Sequence, residues 1–297
     1  MKKDQGIPTT LEPTVRDGIA IPEKSISLEK AVNYYNNFYN TRILHDPSDS
    51  TRAVWFEFSM LERYFKEVVT TCEKRNITIT RFVFLLGADP EGKRTVFLAP
   101  ATYDAQLDLH RAFSLDNDEI TFLYRFPGEN YSTITAFEHL QSTDQSLILS
   151  NKGHISSAEA IALYNHYYDV KTGPFTPVVP LDTRFVYYEK GEFEAYLSYL
   201  KAQSSAHDIA LDGIAMIFAA IADSEDEGSY ANHITLFFAP TKNGSKEKLV
   251  SSLDMPEDTI FDVSKRQWEF PATKIDRAQI TAFFNYGTGG PPPTHWD

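Results

Sequence analysis

The run Thr51-Arg52-Ala53-Val54-Trp55-Phe56-Glu57 returns 132 positions later as Thr183-Arg184-Phe185-Val186-Tyr187-Tyr188-Glu189. Both runs are short, aromatic and β-branched, the composition of a strand. Matching residues continue on either side. Downstream, Glu62 and Tyr64 answer Glu194 and Tyr196. Upstream, Ile26-Ser27, Ala31, Tyr35, Asn36 and Tyr39 meet Ile155-Ser156, Ala160, Tyr164, Asn165 and Tyr168 at an offset of 129. Further on, Thr95, Phe97, Ala99 and Pro100 meet Thr235, Phe237, Ala239 and Pro240 at an offset of 140. Phe126-Pro127 then meets Phe270-Pro271, and Ile134-Thr135-Ala136-Phe137 meets Ile280-Thr281-Ala282-Phe283. The order is kept and the offset only rises, as loop insertions would make it, so the chain reads as a tandem duplication.

One reading of the module has to serve both halves. Leu28, Ala31, Val32, Tyr35 and Phe38 fall at helical spacing behind Ser27 as N-cap, and Ala160, Ile161, Leu163, Tyr164 and Tyr167 do so behind Ser156. A polar, Pro-containing loop follows in each half (44–50 and 172–182), then a short strand over 52–58 and 184–190. A second helix covers about 60–74 and about 191–204. Two strands close each unit: Ile79–Gly87 with Thr95–Ala99, and Gly213–Ala222 with His233–Ala239. The predicted class is α+β, with two helix-strand-helix-strand-strand repeats related by a pseudo-two-fold axis. Because strand–helix–strand crossovers are normally parallel, each repeat is expected to carry a small mixed sheet with helices on one face. The expected division is an extended arm over 1–25, a first repeat over 26–150 and a second over 151–297. The segments 103–150 and 242–290 have no clear period. The terminal Gly289-Gly290-Pro291-Pro292-Pro293 reads either as a polyproline ligand for a partner's aromatic groove or as a strap on its own domain.

The 297 residues carry a net charge of −13, with 21 Phe and 16 Tyr. Rings of that size suit a well-packed β-containing core. Neither half offers the Lys/Arg cluster that phosphate backbones or anionic lipids require, which argues against nucleic-acid and membrane partners. No stretch reaches the roughly 18 apolar residues of a membrane span, and the polar start, Met1 to Gly6, does not read as a secretory signal. Cys72 is the single cysteine, placed in a helical pattern and read as a core residue. A cytoplasmic setting is the expectation.

Catalytic signatures fail one by one. Asp223-Ser224-Glu225-Asp226-Glu227-Gly228 begins like a calcium loop, but Ile234 stands where a bidentate Glu is needed, so it reads as a solvated hairpin turn. The eight histidines have no helical metal spacing. No nucleophile elbow, phosphate loop or dinucleotide fingerprint is present. No cofactor and no metal are therefore expected. The remaining candidates are positions kept in both halves: Tyr35/Tyr164, Asn36/Asn165, Arg52/Arg184, Glu57/Glu189 and Pro100/Pro240. Of these, Tyr35, Asn36, Arg52, Tyr164, Asn165 and Arg184 are the candidate ligand-binding set, at a seam between the repeats. The competing reading gives them to packing, helix ends and cross-strand pairing.

The Tyr- and Asn-rich helix, the strand leading into Leu61-Glu62-Arg63-Tyr64-Phe65, the closing Phe97-Leu98-Ala99-Pro100 and the Gly-Gly-Pro-Pro-Pro tail resemble an uncharacterised, Bacteroidetes-type bacterial protein family. That family carries the module once, here present in tandem. The resemblance implies a bacterial source and brings no activity and no functional residue. Three functions stay open. The first is a non-catalytic binding or protein-interaction protein whose repeats pack on each other. The second is a hydrolase using an unrecognised carboxylate site. The third is an acidic immunity-type inhibitor.

Overall fold

The computed structural model describes residues 15–123 (without 17–18, 21, 23, 27, 47 and 117–118), 146–172, 182–222 (without 207 and 209) and 231–242, with short strands beyond. The chain begins with a ribbon of β1 (Val15–Arg16) and β2 (Ile19–Ala20). There follow β3 (Ser25–Ile26), α1 (Leu28–Thr41), β4 (Ala53–Glu57), α2 (Phe58–Lys74), β5 (Arg81–Ala88) and β6 (Arg94–Asp104). The aperiodic stretch after residue 103 supplies β7 (Leu109–Asp116), β8 (Glu119–Phe122) and β9 (Ile148–Ser150). The second half gives β10 (Gly153–Ile155), α3 (Ser157–Tyr167), β11 (Phe185–Glu189), α4 (Lys190–Ala206), β12 (Leu211–Ala220) and β13 (Ile234–Lys242). It closes with β14 (Lys248–Val250), β15 (Ile260–Asp262), β16 (Gln267–Glu269), β17 (Phe283–Phe284) and β18 (Thr288–Gly290).

The helix-strand-helix-strand-strand order thus occurs twice, but the strands do not pair as expected. β4 and β5, joined by α2, lie in different sheets, and every described pairing in both sheets is antiparallel. This corrects the expected mixed sheets. β4 runs along β12, with Ile214 opposite Phe56, and β11 runs along β5, with Phe84 opposite Val186. A parallel crossover would require both strands around one helix to share a sheet. Here α2 and α4 each carry the chain out of one sheet and into the other.

Sheet one contains the path β10-β9-β6-β5-β11, and sheet two the path β3-β17-β13-β12-β4. The strands of the first path come from one continuous run, residues 81–189. Those of the second come from both ends of the chain, 25–57 and 211–284. Phe283–Phe284 occupy in sheet two the place of Ile148–Leu149 in sheet one. Residues 134–137, with which the sequence aligns Phe283, lie outside the described residues, as do Phe126-Pro127 and Phe270-Pro271.

Helix periodicity assigns the covering layers. On α1, Ala31, Tyr34, Tyr35 and Phe38 are buried, and on α3 Ala160, Leu163, Tyr164 and Tyr167. That is the i, i+3, i+4, i+7 stripe of a helix resting on a sheet. α1 packs on the outer face of sheet two, with Ala215, Ile217, Ala219, Phe237 and Ala239. α3 packs on the outer face of sheet one, with Val83, Leu85, Phe97 and Ala99. The alternate residues of the same strands, Phe82, Phe84, Leu86, Met216, Phe218 and Phe238, face inward into one central core. Phe84 and Phe238 meet there across the two sheets, ring centroids 4.8 Å apart. Burying each such side chain stabilises the fold by about 1.5–3 kcal/mol. α2 and α4 complete this core, with Phe65 against Phe193 at 4.9 Å, so the helices do not share one face.

Local signals fix the ends. Ser156 caps α3, its hydroxyl accepting from the Glu159 N–H at 3.1 Å. The corresponding Ser27 lies outside the described residues. Asn76, at φ +56°, stops α2 in the left-handed region that Asn tolerates. β18 lies on the edge of β11, Gly290 opposite Phe185, so Gly289-Gly290 form an edge strand on the protein itself. Residues 291–297 lie outside the described residues.

Candidate functional site

The strongest concentration of chemistry sits where β4 and β11 begin, at the ends of the polar loops that precede them. Asp49 precedes β4 in sheet two, yet its Oδ2 accepts from the backbone N–H of Arg94 at the start of β6 in sheet one, 3.0 Å away. Asp182 precedes β11 in sheet one, and its Oδ1 accepts from the N–H of Ile234 at the start of β13 in sheet two, 2.9 Å away. Each aspartate also accepts from the chain just beyond it, Asp49 from Thr51 N–H at 2.9 Å and Asp182 from Thr183 N–H at 2.8 Å. Each therefore ties one sheet to the other.

The cations that meet them come from the ends of the covering helices. Arg42, just after α1, donates from Nη2 to Asp182 Oδ2 at 2.7 Å, both side chains 1% exposed. Lys171, in a π-helical turn extending α3, lies 3.1 Å from Asp49 Oδ2 and also bonds Asp46. Arg42 and Lys171 occupy matched positions in the two halves, at the same offset of 129 as their helices. Each meets the aspartate of the other half. Arg94 adds a third cation, its Nη1 2.7 Å from Asp49 Oδ2. In the second half its place is taken by Ile234, so this contact exists once.

Three buried cations thus face three carboxylates, Asp46, Asp49 and Asp182. Burial by itself would raise the Asp46 and Asp49 carboxyls. Lys171, Ser48 and Arg94 around Asp46, and Arg94, Thr51 and Lys171 around Asp49, outweigh it and hold both below the ordinary carboxylate value. The Tyr167 phenol beside them is pushed far up, by burial first and then by Asp182, against Arg94, Arg42 and Arg184. His233 is lowered by burial and by Arg42, against the opposing pull of Asp182. At neutral pH Asp46 and Asp49 are ionised and held in salt bridges, the Tyr167 phenol is protonated and the His233 imidazole is neutral.

The six candidate residues are distributed around this cluster rather than gathered in one cleft. Tyr35 and Tyr164 lie under α1 and α3 on the opposite outer faces. Asn36 is exposed and Asn165 half-buried. Arg52 and Arg184 open the matched strands, and each fixes register in the same way: the Arg52 carbonyl accepts from Phe218 N–H and the Arg184 carbonyl from Leu86 N–H, both at 2.9 Å. Their side chains differ. Arg184 lies 3.7 Å over the Tyr164 ring and 5.0 Å from that of Tyr168, and donates from Nη2 to the Tyr164 carbonyl at 2.8 Å. Arg52 lies 5.0 Å over the Tyr39 ring, and among the described residues neither of its terminal nitrogens has a hydrogen-bond partner.

Glu57 and Glu189 end the same two strands at their far ends. Glu189 pairs with Arg81 at 2.8 Å, whose guanidinium lies 4.1 Å over Tyr187. The position matching Arg81 is Gly213, and the Trp55 ring closes over it, its Nε1 donating to Thr241 Oγ1 at 2.9 Å. Thr80 and His110 form a hydroxyl–imidazole contact of 2.8 Å at the edge of sheet one. The Thr80 hydroxyl also bonds the Ala101 carbonyl at 3.1 Å, which makes the pair a clip between strands. Pro100 and Pro240 lie in β6 and β13 opposite Phe82 and Ile214.

Among the described residues no group of three His, Cys, Asp or Glu side chains is placed to hold a metal, and no helix is long and apolar enough to cross a membrane. The acidic run 223–230 lies outside the described residues. Compared with models of known protein families, with characterised proteins and with solved structures, the chain shows no significant match.

The aspartates and their cations carry no motif that a sequence scan detects. The signal that was available is positional. Asp49 and Asp182 stand just before the two matched strands, and Arg42 and Lys171 share the 129-residue offset.

Proposed function

We propose that the chain is a non-catalytic binding or protein-interaction protein built from a tandemly duplicated α+β module, its two halves joined about a pseudo-two-fold axis. The observation that carries this reading is the ion cluster, in which each half's helix-end cation meets the other half's aspartate. A two-fold homodimer buries the same patch from each partner, and duplication with fusion would preserve that reciprocity in one chain. The matched strand paths of the two sheets support the same origin. A hydrolase of the carboxylate type would need two facing acids whose proton affinities are driven apart. Asp46 and Asp49, which share Lys171 and Arg94, are instead both lowered.

The test is affinity capture from the source organism's lysate with the full chain as bait, washed at low and at high salt. With a net charge of −13, a protein partner is expected to be basic, stoichiometric and released by salt. A bait that returns bare at both salts, together with turnover of an ester, phosphoester or glycoside substrate by the same preparation, overturns the reading in favour of an enzyme.

A further inference from the structure

We infer that Arg52 is an anion-binding residue, and that its fork takes a pair of oxygens from a carboxylate or phosphate group of a small ligand. The inference rests on the binding-protein reading and gives its ligand a chemical class. Arg52 is 4% exposed, and its Nη1 and Nη2 are both buried without a hydrogen-bond partner. A guanidinium does not lose its proton in a protein, so burial cannot be relieved by neutralisation. An unpaired buried cation is strongly unfavourable. The planar fork of two donors matches carboxylate and phosphate oxygens.

The matched arginine supplies the control. Arg184 begins the equivalent strand, fixes register through the same carbonyl contact, and is closed off by its own helix: its Nη2 donates to the Tyr164 carbonyl and its face lies on two tyrosine rings. Among the described residues Arg52 has one aromatic partner, Tyr39, and no carbonyl acceptor for its terminal nitrogens. The neighbouring ion cluster does not serve it either, because Arg42, Arg94 and Lys171 already engage Asp46, Asp49 and Asp182. Among the described residues the fork of the N-terminal half therefore engages no acceptor, whereas that of the C-terminal half engages one through Nη2. That asymmetry is expected when one copy of a duplicated module keeps a ligand contact and the other converts it into a structural one. The guanidinium lies over the half-buried Tyr39 ring, and in the chain Arg52 follows the half-buried Thr51 and the exposed Ser50.

The experiment measures the melting temperature of the full chain in sodium phosphate, sodium acetate and sodium chloride at equal ionic strength. Phosphate, acetate or both should raise the midpoint above that in chloride by about 2 °C or more at concentrations well above the dissociation constant. A rise in phosphate alone assigns a phosphoryl ligand, and a rise in both assigns a carboxylate-type site. Arg52→Gln should abolish the rise while Arg184→Gln keeps it. Arg52→Lys, which holds the charge without the fork, should lose most of it, and it serves if the Gln variant does not fold. Equal midpoints in all three salts, or a rise that persists in the Arg52 variants, overturns the inference; equal midpoints mean the fork is served from within the chain. Protein capture by the wild-type bait is read separately, so a partner retained without an anion response refutes this site and leaves the binding-protein reading standing.

Discussion

Asp182→Ala should be among the most destabilising single substitutions in the molecule. The carboxylate is buried, pairs with the 1%-exposed Arg42 and accepts two backbone N–H groups, from Thr183 and from Ile234. Removing one partner of a buried ion pair costs about 3–5 kcal/mol. Each N–H left without an acceptor adds about 1–3 kcal/mol unless water enters the vacated space. A loss of about 5 kcal/mol is expected, a large share of the 5–15 kcal/mol typical of a folded domain. Urea unfolding followed by circular dichroism reads it, in a cycle of Asp182→Asn, Arg42→Met and the double variant. Asn keeps an acceptor oxygen for the N–H groups, so the cycle isolates the charge pair. The double variant should be more stable than the sum of the singles implies, by at least about 2 kcal/mol, because it leaves no orphaned charge. Strictly additive losses, or a cost below about 1 kcal/mol for Asp182→Ala, would refute the claim that this pair ties the start of β11 to the start of β13.

The other predictions concern separate places. Protonating Asp46 and Asp49 is harder in the folded chain than in the unfolded one. Their contribution is therefore complete above the unfolded carboxylate pKa of about 4 and is lost as pH falls through the lower folded values; Asp49→Asn should flatten that acid limb in urea titrations run from pH 6 to 2. Cys72 is buried, and burial pushes its thiol up to about 11. It should resist iodoacetamide at pH 8 in the native state and react fully in urea, and stoichiometric native labelling would contradict its placement. A Cβ on Gly213 would come within 2.4 Å of the Trp55 ring. Gly213→Ala should cost about 1–3 kcal/mol through overpacking and shift the tryptophan emission, whereas an unchanged spectrum and stability would mean the ring does not lie on β12.

The individual elements were legible in the sequence because their causes are local. The spacing of Ala31, Tyr35 and Phe38, and of Ala160, Tyr164 and Tyr167, predicts two helices with a buried stripe. The aromatic and β-branched composition of 52–58 and 184–190 predicts two strands, and β4 and β11 lie within those bounds, as α1 and α3 lie on their stripes. The recurrence of the quoted run marks two strands of the same length, each leading directly into a helix. The partner of each strand was not legible. A strand's period states which residues face inward but leaves its neighbour open, and either antiparallel edge satisfies the pattern Ala53–Glu57. Only the assembled molecule placed β4 on β12 and β11 on β5, which put α2 and α4 into a central core. The seam shows the same division. Asp49, Asp182, Arg42 and Lys171 read along the chain as loop and helix-end charges, because solvation is the usual fate of such residues. Their burial follows from two sheets closing over them, and the strength of a charge pair depends on that exclusion of water, a property of the assembled layers. Arg52 and Arg184 stand as equals in the sequence. One is closed by the Tyr164 carbonyl and the other is open because only the tertiary structure decides which buried donors find an acceptor.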